Sequence, residues 1–91
     1  LPNGIVVEIP GILNKSGVTG IKLKNYPKEF SSLLNNQVST IELTTEAVLK
    51  KSKHSAYLAM LSDPVVDNPK NAENLLTTML DFQKDHLGYL K

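Results

Sequence analysis

The carboxylate with the most unusual setting is Glu8, inside the apolar run Val6, Val7, Glu8, Ile9 that ends at Pro10 and Gly11. In a strand, alternate side chains point to opposite faces, so Glu8 would share a face with Val6 and Pro10 while Val7 and Ile9 face the other way. Two readings stay open. On the wet face of a two-layer sheet Glu8 is a solvated charge. Lining a pocket, it loses solvation, and its carboxyl pKa rises toward acid or base use. Asn35, Asn36 and Gln37 form a second polar group in the middle of a helical pattern. Asparagine costs helix propensity there, so the patch either meets a ligand or another segment or faces solvent. Glu8, Asn35 and Gln37 are the candidate pocket residues.

Other chemistries lack the residues they need. His54 and His86 are far apart in sequence, and only Asp85 stands beside either of them, so no local metal-ligand spacing exists. None of the serines at 31, 32, 39, 52, 55 and 62 has the glycine-flanked setting of a hydrolase nucleophile. Gly17 and Gly20 lie in a strand connection and open no helix, so the dinucleotide fingerprint is absent. Lys50, Lys51 and Lys53 cluster at a helix end, where cations complement the dipole.

Composition narrows the class. A chain of 91 residues forms one domain at most, residues 1–91. With 41% apolar but only 5% aromatic residues and no tryptophan, its core must rest on Leu, Val and Ile. Ten basic against nine acidic side chains leave a net charge of +1, without the excess that neutralising nucleic-acid phosphates requires. No apolar run approaches the roughly 20 residues of a membrane span, and no signal core follows the N-terminus. With no cysteine, the expected setting is reducing and cytoplasmic. The chain opens at Leu1 without a methionine, as expected of a processed product or a piece of something longer.

The elements that would position these residues are two strands and three helices, an α+β arrangement. Ile5 to Ile9 reads as a short strand whose pairing ends at Pro10, and Val18 to Leu23 as a second. Asn14, Lys15, Ser16, Gly17 is turn chemistry, with Gly17 able to take positive φ. A lone hairpin is marginal in water, so a helix or further strands should cover it. Pro27 suits the first position of a helix running about 24 residues to Lys51, with Phe30, Leu33, Leu34, Val38, Ile41, Thr45 and Val48 as its buried stripe. Ser52 caps a second helix, with Ala56, Ala59 and Met60 inward and Asp63, Pro64 ending it. Asn68, Pro69 starts a third, its apolar face carried by Ala72, Leu75, Leu76, Met79, Leu80 and Leu87.

Taken in order, these residues resemble the C-terminal part of glycoside hydrolase family 4. Leu1, Pro2, Asn3, Gly4 is similar to the loop before that family's Val-Glu-Val-Pro strand, here Val7, Glu8, Ile9, Pro10. Gly17, then Tyr26, Pro27, then Gln37, Val38, Glu42, Leu43, Glu46 and Ala47 follow in the family's order. Ala59, Met60, Leu61, Ser62, Asp63, Pro64, Val65 stand where the family has a helix ending in Asp-Pro-Leu, and a last helix ends at Tyr89, Leu90. Two places depart from the pattern. The family's usual Gly-Ile-His-Pro is Gly17, Val18, Thr19, Gly20 here, and its usual Thr-Gly-Asp is Lys50, Lys51, Ser52.

The resemblance implies a larger parent of the lactate and malate dehydrogenase type. Its N-terminal Rossmann domain would hold NAD while the C-terminal part shapes the sugar site, in a homo-oligomer. It also implies hydrolysis of glycosides by oxidation and elimination, with NAD accepting hydride from C3 of the sugar and a divalent metal, commonly manganese, polarising the new carbonyl. A C3 ketone acidifies the C2 proton, and a cation stabilises the enediolate, so the aglycone can leave. This route stands apart from the paired-carboxylate scheme of most glycosidases. The family's cysteine and histidine metal ligands and its glycine-rich NAD loop belong to earlier segments, so these 91 residues are expected to hold no cofactor and to be inert alone. The competing expectation is a small stand-alone helical module that binds a protein partner.

Overall fold

The computed structural model describes residues 1–91. Its order is β1 (Gly11–Asn14), β2 (Gly17–Gly20), α1 (Lys28–Lys50), α2 (Lys53–Ser62), α3 (Pro69–Phe82) and α4 (Lys84–Leu87). The α+β class and the order of strands before helices agree with the sequence reading, while the strand positions and the helix count differ.

The strands begin where the first apolar run ends. β1 and β2 pair antiparallel, Gly11 with Gly20, Ile12 with Thr19, Leu13 with Val18 and Asn14 with Gly17. Asn14 Oδ1 accepts a hydrogen bond from the Ser16 amide at 2.8 Å, and Gly17 takes φ 113°, closed to most side chains. This turn sets the register, leaving Ile5 to Ile9 outside the ladder. Pro10 does not terminate it: proline lacks an N–H but keeps its carbonyl, which accepts from the Ile21 amide at 2.7 Å. All eight strand residues are exposed, and no strand Cα lies within 8 Å of a helical Cα. The cover expected over the hairpin is therefore not supplied by the chain's own helices.

Asn25 at φ 55° turns the chain toward Pro27, which caps α1 from one position before the helix rather than occupying its first turn. α1 and α2 form an antiparallel helical pair with a tight corner. Lys51 adopts the left-handed conformation (φ 54°, ψ 44°), and the Ser52 amide donates back to the Ala47 carbonyl at 3.0 Å, satisfying one of the last carbonyls of α1. Ser52 then caps α2, its Oγ accepting from the Ser55 amide at 3.1 Å. The C-terminal tail closes on the same corner. Lys53, whose amide has no partner within its helix, donates to the Lys91 carbonyl at 2.9 Å, and the Lys91 amide donates to the Lys51 carbonyl at 3.0 Å. Gly88 permits this return, because a Cβ there would stand 2.7 Å from the Lys84 carbonyl oxygen.

Asn68 caps α3, its Oδ1 accepting from the Lys70 and Asn71 amides at 3.0 and 3.2 Å, with Pro69 at the first position as its sequence implies. The third helix does not run unbroken to Leu87. Gln83 (φ −108°, ψ 25°) separates α3 from the single turn α4, giving four helices instead of three.

The core is small. Its buried members are Val38, Ala47, Ala59, Ala72 and Leu90, with Ser55. Of the stripe expected to be buried on α1, only Val38 is; Phe30, Leu33, Leu34, Ile41 and Val48 stand open, Ile41 at 59% exposure. The helix meets α2 through a different side, Thr40 and Ala47, roughly a third of a turn away from Ile41. The accessible surface is 7647 Å² where a compact chain of this mass shows about 5,200 Å². The radius of gyration is 17.4 Å against about 12 Å for a compact domain of this length.

Candidate functional site

Glu8 lies in the irregular segment before β1 and is exposed, as are its neighbours Val6, Val7 and Ile9, Val6 at 96%. Because the segment has no strand pairing, no sheet face is imposed on Glu8. Asn35 and Gln37 are both exposed on the first half of α1. Two positions apart on a helix, their side chains point in different directions. The Asn35 carbonyl accepts from Ser39 Oγ at 3.1 Å, a local bond common to hydroxyl side chains in helices. None of the three lines either of the two clefts formed by the helices and the tail.

One cleft, about 340 Å³, opens where α1, α2, α3 and the tail converge. Ala47, Val48, Met60, Leu76, Leu80 and Leu87 make it mostly apolar, with Thr40, Thr44 and Asp63 as its polar members. Asp63 is already engaged, its Oδ1 accepting from the Val65 amide at 3.1 Å. At the edge of this cleft the Thr40 and Ser62 hydroxyl oxygens stand 2.9 Å apart. Each hydroxyl has one proton. The Ala59 carbonyl lies 2.8 Å from Ser62 Oγ and the Asn36 carbonyl 3.3 Å from Thr40 Oγ1, so whichever hydroxyl donates to the other, the remaining proton goes to a carbonyl of its owner's own helix. That chain links α1 to α2 across 22 residues of sequence, and no local pattern announces it. A second cleft of about 320 Å³, also lined by Leu76 and Leu80, carries Lys53, Asp81 and Lys84.

The polar side chains here are engaged mainly with nearby backbone. The hydroxyl bonds of Ser39, Thr40, Thr44, Thr45, Ser62 and Thr77 run to backbone carbonyls or, at Thr40 and Ser62, to each other, and none engages a histidine. His54 and His86 are exposed on separate helices. No three His, Cys, Asp or Glu side chains are grouped to hold a metal ion, and no glycine opens a helix onto which a dinucleotide phosphate could sit. The residues present do not fit NAD or manganese. No helix is long and apolar enough to cross a membrane.

What the fold does display is uncovered surface: an open hairpin, an open helix face and an apolar cleft. The sequence model of the family 4 glycosyl hydrolase C-terminal domain matches residues 1–66, which take in the hairpin, α1 and α2. The chain belongs to glycoside hydrolase family 4. An alpha-glucosidase of Erwinia rhapontici is 35% identical over 91 residues, all of this chain and 20% of that protein. An alpha-galacturonidase of Thermoanaerobacterium saccharolyticum is 31% identical over 88 residues, 96% of this chain and 19% of that protein. A maltose-6'-phosphate glucosidase of Bacillus subtilis is 30% identical over 80 residues, 88% and 18% respectively. No solved structure gives a significant match. The chain thus spans about a fifth of the length of these family 4 relatives and corresponds to their C-terminal part.

Lys51, the corner residue between α1 and α2, takes a φ of 54°, the conformation for which glycine is suited, and Ser52 supplies the cap for the helix that follows.

Proposed function

We propose that this chain is the C-terminal portion of a glycosidase that cleaves O-glycosidic bonds by NAD-dependent oxidation and elimination with a divalent metal such as manganese. Alone, these 91 residues do not turn over substrate. The observation that carries this reading is the family 4 match over residues 1–66 in a chain a fifth the length of its relatives. The surface supports it. The chain exposes roughly 2,400 Å² beyond a compact monomer of its mass, about three times what one partner gives up in a standard interface.

On this reading the preceding portion is a Rossmann domain that holds NAD and the metal, and the apolar faces left open here are its seat and the seat of subunit contacts in a homo-oligomer. Glu8, ahead of Asn35 and Gln37, is the candidate to approach the sugar pocket once those faces are covered. The relatives' names span glucosides, a maltose phosphate and a galacturonide, so the substrate class proposed is a glycoside, in the cytoplasm. The test is an assay of the purified chain on nitrophenyl α-glucoside, maltose 6'-phosphate and a galacturonide, with NAD and manganese supplied. The expected result is no turnover above a buffer control; sustained release of product would contradict the reading.

A further inference from the structure

We draw no further inference here: the strongest candidate, the apolar stripe of Phe30, Leu34, Ile41 and Val48 left open along α1, belongs to the surface already assigned to the rest of a family 4 enzyme, and nothing in the structure shows which segment covers it.

Discussion

The hairpin and the α1–α2 corner use similar means locally and reach opposite outcomes. Each is organised by a short turn with a residue at positive φ, Gly17 in one and Lys51 in the other, and each has a side chain bonded to a nearby amide, Asn14 to Ser16 and Ser52 to Ser55. Yet Leu13 and Val18 of the hairpin are more than three-quarters exposed, whereas Ala47, Ala59 and Leu90 around the corner are buried. Apolar content does not make the difference. The corner has its cover within the chain: α2 lies along α1, and the tail returns to bond both Lys51 and Lys53. The hairpin has backbone pairing and the Ile9 side chain against Gly20, but no helix beneath it. Local chemistry therefore shapes an element, but only a facing surface stabilises it, which is why a two-stranded ribbon is marginal in water while this corner can hold itself.

The sharpest contrast comes from truncating one leucine in each region. Leu90→Ala removes the largest buried side chain of the corner and is expected to destabilise the helical part by about 2–4 kcal/mol. Leu13→Ala, in the open hairpin, should stay within about 0.5 kcal/mol. Urea unfolding followed by far-UV circular dichroism measures both, and equal losses would erase the distinction. Next in size is the cap: Ser52→Ala deletes the acceptor for the Ser55 amide and should cost about 1 kcal/mol, with Ser52→Asp retaining stability by the same titration. The smallest effect has the opposite sign. Lys51→Gly relieves a left-handed lysine and should raise stability by about 0.5–1 kcal/mol, read as a higher melting temperature; a lower one would show that the lysine stabilises the corner in another way.

Legibility in the sequence follows the range of the interactions. The turn at Asn14–Gly17, the Ser52 cap and the Asn68–Pro69 start are readable because each is completed within three residues. The strands lie elsewhere than apolarity suggests: Ile5–Ile9 is the apolar run, but turn geometry sets the pairing, and a run with no partner forms no ladder. The stripe on α1 is amphipathic as its spacing implies, yet periodicity says only that a face exists and not what meets it. α2 takes the Thr40 and Ala47 side instead, joined by a hydroxyl pair that no spacing rule encodes. The break at Gln83 has no signal, since glutamine is an ordinary helix former. Of the candidate pocket residues, Glu8, Asn35 and Gln37 are all at the surface, and a pocket that depends on a facing domain is not written in one side of it.

If this family 4 segment supports its helical corner by itself and leaves its hairpin dependent on a surface the chain does not supply, the two regions must differ in how often their backbones open. Native-state amide hydrogen exchange on the 91-residue chain, followed by NMR, reads that difference residue by residue. The expected result is protected amides in α1 and α2, including Ser52 and Lys53 at the corner, with Ile12, Leu13 and Val18 exchanging near the rate of an unfolded peptide. Hairpin amides as slow as those of α2 would contradict it.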